Sequence, residues 1–351
     1  MPHVPLRIGI VGAGGIVREK HIPGFRAIPD CTVLAVANRS PASSRKVANE
    51  FGIPEIETDW KSLVARPDLN AIVVGTWPYM HKDVVLAALA AGKHVLCESR
   101  MCCDAAESRL MFAASEKARK KHGLVSMLCP PPTGFKGDYV MRKAIDAGVL
   151  GKPYLLSVRH CGKGQLDPST PLHWRQVKEF QGLNMLALGL VYEALERWFG
   201  PATSVQAKAR TYTAKRPLGK GGKTLGKVER PDALTILADF RNGLSASMLL
   251  SGVSLAPAPN YVEAWGSAGM LRYSLDEDRV WSATVKDPEL REIPIAADNA
   301  RTWRVEDEFV SAIRNGTPVS PSFADGVKYM TFTEAVEQAS KSGKRVSLRS
   351  I

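Results

Sequence analysis

The chain is 351 residues long, 45% hydrophobic and 23% charged, with a formal net charge of +12 at pH 7. These values exclude a disordered chain and predict two globular domains of ordinary size. The apolar stretches are far shorter than a membrane span, and the start Met1–Arg7 has no charged region followed by a long apolar core, so neither an anchor nor a signal peptide is expected.

The elements follow in chain order. Leu6–Val11 is a short apolar run ending in glycines, the pattern of a buried parallel strand. Helices are expected at Ile16–Ala27, Pro41–Phe51, Lys82–Ala91 and Asp104–Lys121, and strands at Thr32–Ala37, Ala71–Gly75, His94–Cys97 and Leu124–Leu128. Strands alternating with helices mean a parallel sheet with right-handed crossovers. The run Cys129-Pro130-Pro131-Pro132 halts the last strand, so the chain divides into domains 1–128 and 129–351. The second domain opens on a helix, Asp138–Ala147, and a strand, Tyr154–His160. A helix, Gly182–Phe199, precedes the strands Ser204–Ala209, Ala233–Phe240, Leu244–Gly252, Tyr261–Trp265 and Met270–Ser274. Helices Glu306–Asn315 and Asp325–Lys341 close the chain. The fold class is therefore α/β, a parallel sheet followed by a large, mostly antiparallel open sheet.

Six cysteines, Cys31, Cys97, Cys102, Cys103, Cys129 and Cys161, form no C-x-x-C pair. Scattered thiols without a secretion signal fit a reducing cytoplasm, and no metal site is expected from their spacing. The densest basic run, Lys215–Arg230, lacks interleaved aromatics and reads as a solvated loop, or as an attractor of an anionic substrate or cofactor. No nucleic-acid partner is expected from it.

Gly12 and Gly14 occupy the first two positions of G-x-G-x-x-G directly after a strand and before a helix. The first glycine permits the tight turn. The second lets backbone approach a pyrophosphate seated on the helix N-terminus, as in a Rossmann domain. Val17 stands at the third position and implies looser helix–strand packing. The second strand ends in Asn38-Arg39-Ser40 with no carboxylate to meet a ribose 2′-hydroxyl. A 2′-phosphate could pair with Arg39 and Ser40, which places NADP ahead of NAD; Arg39 stacked on adenine with NAD is the alternative.

Further along, Gly75-Thr76-Trp77-Pro78-Tyr79-Met80-His81, Ala91-Gly92-Lys93-His94-Val95-Leu96-Cys97-Glu98 and Gly148-Val149-Leu150-Gly151-Lys152-Pro153 join the glycine turn. Near the end come Phe309-Val310-Ser311-Ala312-Ile313-Arg314-Asn315-Gly316 and Thr333-Glu334-Ala335-Val336. With these segments the chain resembles the glucose–fructose oxidoreductase / inositol dehydrogenase family (Gfo/Idh/MocA) over nearly its whole length. The resemblance implies NAD(P)-dependent oxidoreduction of a carbinol or carbonyl on a sugar, cyclitol or related polyol. It also implies a homo-oligomer formed through the C-terminal sheet. Some members of the family instead cleave glycosides with no net redox change, and a catalytically silent NAD(P)-binding regulator is a third reading. By the resemblance, Gly12, Gly14, Gly15, Ile16, Asn38, Arg39, Ser40, Thr76, Trp77, His81 and Glu98 form the cofactor site.

The departures from the family concern its chemistry. Where the family has Glu-Lys-Pro, this chain has Glu98-Ser99-Arg100; at the usual Asp and His positions it has Ala187 and Val191. An active enzyme must therefore draw its acid or base from elsewhere. His160 and His173 are the candidates, since imidazole exchanges protons near neutral pH; a histidine paired with nearby backbone is the alternative. Arg100, Lys163, Arg175, Asn184 and Tyr192 are the expected substrate contacts, the basic ones suiting an anionic polyol. Arg175 in a structural salt bridge and Tyr192 as packing are the competing readings.

Overall fold

The computed structural model describes residues 5–130, 136–255 and 259–351. Met1–Val4 and the expected boundary residues Pro131 and Pro132 lie outside the described residues. The chain divides into two compact units, Met1–Pro130 with Trp303–Val327, and Pro131–Thr302 with Lys328–Ile351.

The first unit is built on β1 (Leu6–Val11), α1 (Ile22–Arg26), β2 (Cys31–Ala37), α2 (Pro41–Phe51), β3 (Glu55–Ile56), α3 (Trp60–Ala65), β4 (Ala71–Val74), α4 (Pro78–Ala90), β5 (His94–Cys97), α5 (Ala105–His122) and β6 (Ser126–Leu128). The six strands pair in the order β3-β2-β1-β4-β5-β6, all parallel. Every residue of β4 is buried, as both-face coverage of a parallel sheet requires. Helix α4 begins at Pro78, four residues before the expected Lys82, while α2 and α5 begin on side-chain caps. Ser40 Oγ caps α2 by accepting from Ser43 N, and Asp104 caps α5 by accepting from Glu107 N. The last turn of α5 carries Arg119, Lys120, Lys121 and His122 against the negative end of the helix dipole.

The division expected at residue 128 gives all of 129–351 to the second domain; instead, Trp303–Val327 belongs to the first unit. The reason is packing. The returning helix Val305–Asn315 places Phe309 and Val310 in one apolar cluster with Ile8, Ile10 and Phe25.

The second unit contains α6 (Asp138–Asp146), β7 (Pro153–Cys161), α7 (Lys178–Gln181), α8 (Leu188–Phe199), β8 (Ala202–Arg210), β9 (Lys215–Pro217), β10 (Leu225–Lys227), β11 (Ala233–Phe240), β12 (Ser245–Ser251), β13 (Tyr261–Gly266), β14 (Gly269–Ser274), β15 (Arg279–Thr284), β16 (Arg291–Ile293) and β17 (Val346–Ser347). Nine strands form one sheet in the order β16-β15-β14-β13-β7-β12-β11-β8-β17. Only β7 and β12 pair in parallel, so the sheet is mostly antiparallel. Strands β11 and β12 alternate buried and exposed positions, the mark of a sheet covered on one face. Asp138 is a buried hub that accepts from Trp198 Nε1 at 2.5 Å and pairs with Arg197 and Arg301 at 3.2 Å each.

Two expectations change here. The basic run Lys215–Arg230 is not simply a solvated loop, because β9 and β10 fold it into a hairpin. Arg216, 1% exposed, donates to the carbonyls of Gln165, Asp167 and Thr170 and so ties that hairpin to the segment after β7. The helix expected from Gly182 begins only at Leu188, because Leu186 sits at φ +47° and breaks the helical path. A branched residue in that left-handed region is uncommon and strained. No described helix is long and apolar enough to cross a membrane.

Candidate functional site

In the first unit, β1 delivers Val11 into a turn at Gly12, whose φ of +85° favours glycine. A Cβ there would lie 2.7 Å from Thr76 N, so the turn and the end of β4 are in close contact. Val17 does not loosen the packing as expected. It is fully buried, and its Cγ2 fills the space that a Cβ on Gly75 would take. Gly75, directly after β4, leaves the room that Val17 fills. The helix also opens with a π-helical stretch, Val17–His21, before α1.

Gly14 and Gly15 are exposed, and a Cβ on Gly15 would meet nothing within 4 Å. Nothing in the protein requires glycine at 15; the open backbone of a helix N-terminus is what an approaching pyrophosphate needs. Thr76 Oγ1 beside this turn is buried with no hydrogen-bond partner among the described residues. These features fit a nicotinamide dinucleotide.

The residues after β2 divide their work. Asn38 Oδ1 accepts from Ala13 N at 2.7 Å, so its side chain braces the glycine turn. Ser40 caps α2, and Arg39 is exposed beside it. Ile16 is half-buried at the start of the π-helical stretch, and Trp77 is half-buried at the N-cap of α4. His81 is buried, its ring nitrogens 2.9 Å from Thr76 O and 3.1 Å from Met101 O. Burial pushes its pKa down and favours the neutral ring. Both ring nitrogens are thus turned toward backbone carbonyls.

Glu98 has a partner that sequence reasoning missed. Its Oε1 lies 2.6 Å from His21 Nε2, and His21 Nδ1 meets Glu306 Oε1. Trp303 Nε1 donates to Glu306 Oε2 at 2.9 Å. Burial opposes charge on His21, but its hydrogen bonds to Glu306 and Glu98, both accepting, outweigh it and raise its pKa to about 9. Cys129 Sγ lies within 4.8 Å of the His21 and Glu98 ligand atoms, yet both ring nitrogens are already held by carboxylates. Arg100, expected to meet an anionic substrate, is buried.

In the second unit, the end of β7, the turn after β12 and the stretch Arg175–Ala187 enclose a cavity of about 290 Å³, close to the smallest small-ligand sites. Its wall brings together His160 and Arg175 of the expected residues, with Gln165, Gln176, Gln181, Ala187, Arg230 and Ser251. No aspartate or glutamate lines it. Arg175 lies over the Trp174 ring at 4.3 Å. Arg230 is held by the carbonyls of Glu229 and Gly182 and by Glu337, one bond on each of its three nitrogens.

Four expected residues do not line the cavity. His173 caps the turn Trp174–Gln176, its Nδ1 accepting from Arg175 N at 3.2 Å. Burial and then the Arg175 charge push its pKa down. Tyr192 is 1% exposed, stacked on Phe332 at 3.8 Å, with its hydroxyl accepting from Ala202 N; it is a packing residue. Asn184 is buried and donates to Gln181 O at 2.7 Å. It lies before α8, outside the helix expected to carry it. Lys163 is exposed between Gly162 and Gly164, which do line the wall.

The glutamines were missed because they become cavity lining only through segments distant in the chain, which no local pattern announces. Gln176 Nε2 donates to Gln165 Oε1 at 3.3 Å, and Gln176 Oε1 accepts from His173 N at 3.0 Å. Gln181, 1% exposed, differs: its Oε1 has no hydrogen-bond partner among the described residues. A buried acceptor in that state costs about 1–3 kcal/mol.

A larger groove of about 420 Å³ in the first unit lies along the C-terminal half of α5 and residues 316–324. Its charged groups Arg119 and Glu116 pair with each other at 2.8 Å.

Comparison with known proteins matches two stretches of the chain. Residues 6–127 match the family described as "Oxidoreductase family, NAD-binding Rossmann fold", and residues 140–272 match "GFO/IDH/MocA C-terminal domain". Levoglucosan dehydrogenase of Pseudarthrobacter phenanthrenivorans is 26% identical over 96% of both chains. The crystal structure of an oxidoreductase domain protein from Kribbella flavida superposes with a TM-score of 0.85 at 24% identity, covering 98% of this chain and 99% of that one. A levoglucosan dehydrogenase in complex with NADH and L-sorbose gives 0.84 at 23% identity, covering 98% of each. Because both the glycine-turn unit and most of the open-sheet unit match, this chain belongs to the Gfo/Idh/MocA oxidoreductase family.

Proposed function

We propose that the protein is an NAD(P)-dependent oxidoreductase that interconverts a carbinol and a carbonyl on a sugar, cyclitol or related polyol. The observation that carries this is the cavity of the second unit, where His160 and Arg175 meet glutamines and a serine, a lining suited to hydroxyl groups. A related protein is named for levoglucosan, and a solved neighbour holds L-sorbose, both small polyols. An anionic group on the substrate would rest chiefly on Arg175, since Arg100 is buried and the charge of Arg230 is already paired with Glu337.

When bound, the nicotinamide supplies or accepts the hydride. The glycine turn would hold the pyrophosphate, with Asn38 fixing that turn through Ala13 N. His160 is the one imidazole on the cavity wall, the side-chain type suited to both accepting and donating a proton, and it takes the role the absent Lys, Asp and His would fill. The test is a screen of neutral sugars, cyclitols and uronates for stabilisation, then for change in NAD(P)H absorbance. His160→Gln should lower kcat at least 100-fold with dinucleotide affinity intact. Turnover near the wild-type rate rules out His160. Glycoside cleavage without net NAD(P)H change would point to the redox-neutral reading, and cofactor binding without turnover to a silent regulator.

NADP is favoured over NAD because no carboxylate follows β2 and Arg39 is exposed there. With Ser40 serving as a helix cap, Arg39 carries this preference. Calorimetry should show NADPH binding more tightly than NADH. Arg39→Ala should weaken NADPH about tenfold, or 1.4 kcal/mol, and leave NADH unchanged. Tighter NADH binding by the wild-type protein would overturn the preference. The exposed leucines Leu155, Leu237 and Leu249 on one face of the nine-stranded sheet suit a homo-oligomer contact, and the six free cysteines suit a cytoplasmic setting.

A further inference from the structure

We propose, resting on the polyol reading above, that Gln181 is a specificity-determining residue whose side-chain oxygen receives a substrate hydroxyl. Three glutamines line the cavity, and the structure separates them. Gln165 and Gln176 are paired with each other, and Gln176 is held again by His173 N. Gln181 has an acceptor that no described donor reaches, and at 1% exposure it has no bulk water to replace one. Buried acceptors are almost always satisfied, so one left over on a cavity wall marks where a ligand donor belongs.

Its surroundings fit that role. Gln181 ends α7, and its backbone carbonyl takes bonds from both Asn184 N and Asn184 Nδ2, which fixes the residue at its root. Leu186, strained at φ +47°, and Ala187 share the same wall. The small Ala187 stands where the family resemblance places a carboxylate, and no acid lines the cavity. A neutral carboxamide oxygen can then accept a hydroxyl proton without adding charge. It rejects a deoxy analogue, because that ligand leaves the acceptor empty.

The test compares wild-type protein with Gln181→Met, which keeps the length of the side chain and removes its polar atoms. Melting without ligand is measured first. Binding of myo-inositol, D-glucose, D-glucuronate and monodeoxy derivatives of glucose is then measured by calorimetry, with NADPH binding as the control. The expected result is an apo melting temperature that is unchanged or raised, NADPH affinity unchanged, and at least tenfold weaker binding of the polyol. The gap between that polyol and one deoxy analogue should close in the variant. A fall in apo melting temperature of several degrees means that Gln181 is structural and overturns the proposal. So does a variant that keeps the wild-type affinity and selectivity. A wild-type protein that binds none of these compounds overturns the polyol reading itself and the hydroxyl assigned to Gln181 with it.

Discussion

His21→Leu should destabilise the first unit by about 3–5 kcal/mol, the usual cost of removing one partner from a buried ionic group. His21 is fully buried between Glu98 and Glu306, and its loss leaves two carboxylates, one of them almost sealed from water, with no cation between them. His21→Gln keeps a neutral donor and should fall between the two. The pH dependence separates this from simple loss of packing. Burial alone would favour neutral imidazole, but the bonds to Glu306 and Glu98 raise the folded pKa to about 9, above the ordinary 6.5. A group whose pKa is raised on folding stabilises fully below its unfolded value and loses that contribution as pH rises through the folded value. The contribution is on the order of 3 kcal/mol and should fade between pH 6.5 and 9. Denaturant unfolding at pH 6, 7.5 and 9 measures it. Wild-type stability should drop across this range more than that of the leucine variant. Parallel profiles would mean that His21 is not charged in the folded protein.

The contrast between His21 and the glycine turn shows what the sequence makes legible. Gly12 and Gly14 carry their meaning locally, because a strand, a turn and a helix within ten residues demand them. The chain order of alternating strands and helices similarly defined the parallel sheet. His21 looks like any polar residue in a helix, since its partners lie 77 and 285 residues away and no local pattern announces them. The return of Trp303–Val327 to the first unit was hidden for the same reason: the helix pattern was read correctly, but the pattern does not say which core it joins. In the second unit the site stretch was read as continuous helix because Gly182–Ala187 has the right composition. Leu186 in the left-handed region defeats that reading, and its cause is tertiary. Asn184 was then placed beside a ligand by a helical register that holds only from Leu188 onward, whereas Tyr192 keeps that register and is taken out of the site by its packing on Phe332.

Gly75→Ala is the sharpest test of how the turn tolerates Val17. Its new Cβ would fall on Val17 Cγ2 and within 2.5 Å of Gly12 O. The first neighbour is a buried methyl and the second is backbone, so relief requires moving the turn itself. The cost should reach the upper end of about 1–3 kcal/mol for overpacking. Dinucleotide affinity should fall at least tenfold with it, because the shift is imposed on the Gly12 peptide. Val17→Ala alone removes two buried methyl groups and should cost about 1.5 kcal/mol. Combined, the two changes should cost less than their sum, since trimming Val17 removes one of the two clashes. Recovery should nevertheless be partial, because the contact with Gly12 O remains. Unfolding of the four proteins and calorimetry with NADPH give both halves of the cycle. Strict additivity would show that Val17 and Gly75 do not share that space, and full recovery of binding would show that Val17, rather than the Gly12 carbonyl, sets the limit at residue 75.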